Sequence, residues 1–201
     1  MTITNASKHH APAIATLIMT AMTDDCCQFL AGPDHTLCDF RDMMTALVLM
    51  DDSQYSYRNA LVALDDESAN GDITVAPVAG VAVGYDGADL HRLRRRFQEE
   101  SLRRLDMDHS HMLDETHAGE FYLDSLAVFP QYRRRGIAKL LLRATCERAA
   151  VLGLPTALLV DKGNPDAERL YLSVGFRFVD ATKWGGHEMK HLVCPIVNHI
   201  F

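Results

Sequence analysis

Three adjacent arginines, Arg133, Arg134 and Arg135, lead into Gly136 and the apolar run Ile137–Leu142 in the stretch FPQYRRRGIAKLLL. An apolar strand ends before them, Pro130 stops it, and a helix begins within a few residues. The first turn of a helix leaves backbone N–H groups without partners, and the helix dipole adds positive potential there. An anion fits that position, phosphate above all. Gly136 lets the backbone approach a ligand, Ala138 is small for the same reason, and the arginines surround the mouth with positive charge. The segment therefore reads as a site for a phosphorylated ligand, a pyrophosphate foremost. Neither the Gly-x-x-x-x-Gly-Lys-Ser/Thr loop nor the Gly-x-Gly-x-x-Gly fingerprint occurs, so the pattern is Arg-x-x-Gly-x-Ala after a strand reading SLAV.

Two further groups bear chemistry. On the strand, alternation sets Glu120, Tyr122, Asp124 and Leu126 on one side unless a bulge intervenes. Downstream, NPDAERLYLSVG reads as a helix with Asn164 as N-cap, Pro165 at its first position and Asp166 in its first turn. Ala167, Leu170, Tyr171 and Val174 share one face, and Gly175 closes the helix. From the residues alone, Asn164 is a cap, Tyr171 is a core tyrosine, and Asp124 is a carboxylate holding a neighbouring loop.

The elements that position these groups alternate. ASKHHAPAIATLIMTAM leads through a loop into a helix with Ile14, Leu17, Ile18 and Met22 on one stripe, and DFRDMMTALVLMDDS is a second helix. RNALVALDDE and ITVAPVAGVAVGYDG read as strands about a turn at 69–72, marked by Asn-Gly. The segment 86–119 reads as an amphipathic helix, with Leu90, Leu93, Phe97 and Leu105 at helical spacing, followed by a polar loop. FYLDSLAVF is a strand, RGIAKLLLRATCERAAVLG a helix and TALLV a strand. FRFVD and HEMKHLV form a hairpin around KWGGH. Such alternation points to an α/β domain.

The 201 residues suit one domain, and 48% apolar composition suffices for a core. No apolar run approaches the ~20 residues of a membrane span. No basic start and apolar stretch marks a secretory signal. Cys26, Cys27, Cys38, Cys146 and Cys194 have no metal-like spacing and read as free thiols of a reducing cytoplasm. A net charge of −7 argues against a nucleic-acid partner. The arginines 92, 94, 95, 96, 103 and 104 alternate with glutamates and read as a solvated face. The acidic pairs Asp24-Asp25 and Asp51-Asp52 and the run Asp65–Glu67 read as solvated surface, with a slight tilt toward a cationic partner. His109, His111, Asp114 and His117 match no standard metal spacing and read as exposed loop residues.

LAVFPQYRRRGIAKLLL and NPDAERLYLSVGF together resemble the GNAT superfamily of N-acetyltransferases. The first matches that family's Arg/Gln-x-x-Gly-x-Gly/Ala loop through Arg133, Gly136 and Ala138. The second matches its Asn…Ala…Tyr…Gly-Phe segment through Asn164, Ala167, Tyr171, Gly175 and Phe176, and the two cover about 120–178. The resemblance implies an α/β fold of the α+β type, a single domain over 1–201. Its central sheet would be mixed, mostly antiparallel and flanked by helices, with a helical insertion at about 86–119 between strands 3 and 4. It implies acetyl-CoA as cosubstrate, its pantetheine arm along Leu126, Ala127 and Val128. The pyrophosphate would lie on the backbone of Arg133, Arg134, Arg135, Gly136, Ile137, Ala138 and Lys139, with Asn164 and Tyr171 also at the cofactor. Tyr171 would protonate the departing thiolate. Asp124 is the first candidate base and Glu120 the second, because the family has no fixed base position. Arg134 stands where many relatives carry glycine, and Ala138 replaces the commoner final glycine.

The activity implied is acetyl transfer by direct attack of a primary amine, of a small molecule or a protein. The alternative is a non-catalytic acyl-CoA-binding sensor or interaction domain. No membrane and no metal are expected, the compartment expected is the cytoplasm, and a homodimer stays open. The acceptor pocket would come from the first two helices, the insertion and the last hairpin, where His187 and His191 lie.

Overall fold

The computed structural model describes residues 1–69, 71, 72 and 74–196. The chain runs β1 (Thr2–Asn5), α1 (Ala11–Met22), α2 (Asp24–Ala31), α3 (Leu37–Leu49), β2 (Ala60–Leu64), β3 (Val78–Asp86) and α4 (Leu90–Leu105). It continues with β4 (Phe121–Val128), α5 (Ile137–Val151), β5 (Thr156–Asp161), α6 (Pro165–Leu172), β6 (Arg177–Trp184) and β7 (His187–Cys194). The strands form one sheet in the order β1-β2-β3-β4-β5-β7-β6, antiparallel at every seam except the parallel β4–β5 pair. The mixed, mostly antiparallel sheet and the helical insertion between the third and fourth strands are as the sequence led us to expect.

The central strands are buried on both faces, as their nearly unbroken apolar sequences require: every residue of ALVAL in β2 is buried. One face packs on α1 and α3. Ile14, Leu17 and Ile18 of α1 meet Phe40, Met43, Met44 and Leu47 of α3 over Val62, Val81 and Val83. The other face packs on α5, whose Ile137, Leu141 and Leu142 meet Leu123, Leu158 and Val160. α4 covers a third patch, where Leu90 and Leu93 rest on Tyr85 and Tyr122. At the far edge, β6 is exposed along most of its length.

Two elements were not anticipated. β1 is only four residues long, too short for alternation to show. α2 begins at Thr23, whose side chain accepts from the Cys26 amide, with Asp24 and Asp25 in its first turn. That cap and those acids, with Cys27, Leu30 and Ala31 buried at helical spacing, were the available signal. α3 starts two residues earlier than expected because Thr36 and Asp39 form a capping box. β3 begins only at Val78; Thr74–Pro77 lie outside any strand, while Asn70 of the expected turn and Ile73 lie outside the described residues.

Candidate active site

β4 and β5 share a ladder over only two residue pairs, Phe121↔Thr156 and Tyr122↔Ala157. Beyond them the strands part, and β4 from Leu123 to Val128 has no strand partner on that side among the described residues. In the same stretch β4 bulges. Gly84 pairs with Leu123 and Val83 with Ser125, so Asp124 is the extra residue. Gly84 is required here, because a Cβ would come within 2.6 Å of the Phe121 ring and 2.8 Å of the Tyr122 carbonyl. The bulge corrects the expected alternation. Leu126 and Val128 turn to the α5 side, whereas Ala127 joins the α1–α3 core. Asp124 stays with Tyr122 and Tyr85 on the other face.

The opening faces the start of α5. Gly136 is its N-cap at φ 77°, no side chain caps the helix, and a Cβ on Gly136 would meet nothing within 4 Å. Leu140 is the first amide to bond back, to the Gly136 carbonyl at 3.2 Å. The amides of Ile137, Ala138 and Lys139 thus have no acceptor within the helix. Arg134 sits at φ 63°, in the left-handed region. Arg133 donates through Nε to the Val128 carbonyl at 3.1 Å, and the Arg135 guanidinium lies 5.6 Å from the Tyr132 ring centroid. The Ile137 side chain is buried in the core and anchors the turn, leaving only its backbone for a ligand. Consecutive free amides, open space above Gly136 and flanking guanidinium groups fit a pyrophosphate.

α6 follows β5 after a short turn. Asn164 Oδ1 accepts from the Ala167 amide at 3.1 Å, so the cap is real. Tyr171 is half-buried and packs on Phe176 with ring centroids 5.8 Å apart. Burial pushes its hydroxyl up to about 12, which keeps it protonated through the neutral range. Ala167, Leu170, Tyr171 and Val174 all rest on the cluster that α5 buries, as their spacing led us to expect.

The two candidate bases have separate surroundings. Asp124 Oδ2 accepts from the Tyr85 hydroxyl at 3.1 Å and from Gln54 Nε2 at 3.3 Å, and Oδ1 accepts from Ser125 at 2.9 Å. Burial raises its pKa in spite of these donors. The Tyr85 hydroxyl also lies 3.5 Å from Glu115 Oε1, and the other oxygen of Glu115 is paired with Arg94. Burial, then repulsion from Asp124, carries Glu115 up to about 7. Glu120, in contrast, accepts from the Thr116 hydroxyl at 2.6 Å and lies 3.0 Å from His191 Nε2. Burial pushes it up, but those two bonds and the histidine's charge outweigh burial and leave its pKa lowered.

Gln54, Tyr85, Arg94 and Glu115 stand around the acids without having been singled out as site residues, because only the fold brings them there, whereas His191, named beforehand in the last hairpin, lies against Glu120. Arg94 corrects the reading of the α4 arginines as solvated. It is 2% exposed and pairs with Asp114 and Glu115. Arg92, Arg96, Arg103 and Arg104 are each paired with a carboxylate of the chain. His109 is likewise not an exposed loop residue. It is buried, stacked on Phe97 at 5.4 Å and bonded to the Leu30 carbonyl. Asp51 and Asp52 are matched by Arg58 and Arg96. Among the described residues no three His, Cys, Asp or Glu groups converge as a metal site.

Residues 49–176 match the sequence model of the Acetyltransferase (GNAT) family. The chain belongs to the GNAT family. No curated protein matches it detectably. Among solved structures, one acetyltransferase is 27% identical with TM-score 0.77, covering 98% of this chain and 100% of its own. An N-acetyltransferase from Staphylococcus aureus Mu50 is 21% identical with TM-score 0.78, covering 96% and 100%. The NatC complex bound to Gag peptide and CoA is 16% identical with TM-score 0.56, covering 98% of both chains. In this GNAT chain, the matched segment holds β2 to α6, and so the β4 bulge, the α5 turn and Asn164 and Tyr171. The left-handed backbone at Arg134 accounts for the glycine expected there.

Proposed function

We propose that the chain is an acetyl-CoA-dependent N-acetyltransferase acting on a primary amine by direct attack. One observation carries the reading: the parted strands β4 and β5 open beside the partnerless amides of 137–139, with a half-buried carboxylate at the bulge. Acetyl-CoA supplies an acetyl carbon activated as a thioester. The amides of Ile137, Ala138 and Lys139 take the pyrophosphate, with Arg133, Arg134, Arg135 and Gly136 around it. The edge of β4 at Leu126, Ala127 and Val128 receives the pantetheine arm as a strand would. Asn164 adds a polar contact from the α6 cap. The CoA complex of NatC, on the same fold, is in keeping with this assignment.

Asp124 accepts the proton that the ammonium form must lose before it can attack. As the N–C bond forms, the C–S bond breaks, and backbone N–H groups near the bulge stabilise the charge that develops on the carbonyl oxygen. Tyr171 donates to the leaving sulfur. We assign Glu120 a positioning role, since both its oxygens are engaged by Thr116 and His191.

Calorimetric titration with acetyl-CoA, with NAD and ATP as controls, tests the cosubstrate. Selective binding of acetyl-CoA is expected; no binding by folded protein removes the assignment of the α5 turn and the chemistry built on it. Release of CoA thiol in the presence of amines then separates turnover from a binding-only role.

A further inference from the structure

The acidic run Asp65–Glu67 does not all lie in solvent. Glu67 is exposed and Asp66 half-buried, but Asp65 is 6% exposed, which corrects the reading of the run as solvated surface. Asp65 follows the last residue of β2, and its amide donates to the Pro77 carbonyl at 2.9 Å, anchoring the turn between β2 and β3. Both its carboxylate oxygens are engaged by Ser68: Oδ2 accepts from the hydroxyl, and Oδ1 from the amide at 3.4 Å. The Tyr132 hydroxyl lies within hydrogen-bonding reach of the same carboxylate, and the Arg135 charge acts on it. Ser68 first, then Tyr132 and Arg135, hold Asp65 below the ordinary carboxylate range against the effect of burial.

Tyr132 ends the short helical turn Pro130–Tyr132 between β4 and the mouth of α5. That turn is pinned to the sheet, since the Phe129 amide donates to the Ala79 carbonyl and the Tyr132 amide to the Phe129 carbonyl, each at 2.9 Å. The Tyr132 ring carries the Arg135 guanidinium 5.6 Å from its centroid. Asp65, Tyr132 and Arg135 thus form a chain of contacts from the β2–β3 turn to the residue before Gly136. A carboxylate near a phosphate seat repels the ligand, so its presence there needs a task that offsets the repulsion. An exposed arginine loses rotamer freedom when it closes on a phosphate, and a ring that already holds the guanidinium removes part of that loss.

We propose that Asp65 and Tyr132 are positioning residues: the Tyr132 ring holds the Arg135 guanidinium, and the Asp65 carboxylate holds the ring through its hydroxyl, so that the β2–β3 turn sets one arm of the phosphate site before the ligand arrives. This inference rests on the reading of the α5 turn as the seat of the cosubstrate's pyrophosphate.

The full chain is titrated with acetyl-CoA by calorimetry. Separately it is titrated with inorganic pyrophosphate, followed through the Gly136 amide in the nitrogen–proton correlation spectrum. Wild type, Tyr132→Leu, Arg135→Gln and the double variant are compared. Tyr132→Leu is expected to weaken both ligands about fivefold. In the Arg135→Gln background the same change should weaken them by less than about 1.5-fold. A residue that merely shapes the turn weakens binding equally in both backgrounds, and that result overturns the proposal. Tyr132→Phe, which keeps the ring, and Asp65→Asn should each give a smaller loss, about twofold, with the same dependence on Arg135. That second cycle decides the matter if Tyr132→Leu does not fold. In turnover with n-propylamine, Tyr132→Leu should raise KM for acetyl-CoA about fivefold and leave kcat and the amine KM within about 1.5-fold of wild type. A fall in kcat with an unmoved acetyl-CoA KM overturns the proposal as well. A wild type that binds acetyl-CoA without the coupling removes the positioning role and leaves acetyl transfer standing. A wild type that shows the coupling with pyrophosphate but binds no acetyl-CoA keeps the positioning role and removes the cosubstrate. Binding of neither ligand removes both.

Discussion

Glu120 and Asp124 stand four residues apart on one stretch of chain and face the same side of the sheet, yet they end in opposite electrostatic states. Burial acts on both and favours the neutral acid. Around Glu120, His191 and Thr116 bring a cation and a short hydroxyl bond, and these outweigh burial. Around Asp124 the contacts are a tyrosine, a glutamine and a serine, with Arg94 spent on Glu115, and burial wins. The lesson is that depth alone does not decide whether a carboxylate suits proton transfer. What matters is whether its partners carry compensating charge. Glu120 joins the insertion and β7 into one body, while Asp124 is left able to take up a proton.

This contrast can be broken in several ways. The largest effect expected is from Asp124→Asn, which should lower kcat/KM by about 10²–10⁴ with acetyl-CoA affinity retained; an equal loss in Glu120→Gln would erase the distinction. Tyr171→Phe should lower kcat by about tenfold or more and leave acetyl-CoA binding in place, measured by calorimetry beside thiol release. Unchanged turnover there would remove the assigned acid. Glu120→Gln should act on stability instead, lowering the urea-derived unfolding free energy by about 1–3 kcal/mol while turnover at saturating substrates is kept.

The pH dependence of stability sharpens the same point. Hydrogen bonding to Glu120 raises His191 above its ordinary 6.5, so its contribution is full below that value and is lost as pH rises through the folded pKa. Glu120 is lowered from 4.5, so its contribution is present above that value and is lost as pH falls through the folded pKa. The stability difference between wild type and His191→Gln should therefore be greatest between about pH 4.5 and 6.5 and shrink on either side. A difference that does not shrink on either side of that range would mean that the pair carries no charge. The smallest effect is expected from Ser125→Ala. It removes one donor to Asp124 and should shift the acid limb of the kcat/KM profile to higher pH by a fraction of a unit.

Much of the turn before α5 and of the start of α6 was legible because their determinants are local. The Pro130 stop, the glycine at the start of α5, and the Asn164-Pro165 cap of α6 each act within a few residues of where they are written. The surroundings of Asp124 were not legible. The bulge that frees Asp124 depends on the packing of Gly84 against Phe121, across two strands. Gln54 reaches Asp124, and Tyr85 links Asp124 to Glu115 and its partner Arg94, only because a turn after α3 and a loop after α4 converge on the same strand. His191 meets Glu120 across 71 residues. No periodicity records such meetings, and Arg94, one of six arginines in α4, looks in sequence like its exposed neighbours.

The short seam between β4 and β5 has a mechanical consequence. With two residue pairs of shared ladder, the sheet is two plates, β1–β4 and β5–β7–β6, with little backbone stitching between them. α5 lies across both, touching β2, β3 and β4 on one side and β5 on the other. It acts as a splint. The helix whose first turn is assigned to the ligand is thus also the member that makes the two plates unfold as one, and amides of β5 and β7 should lose their exchange protection together with those of α5, β2 and β3.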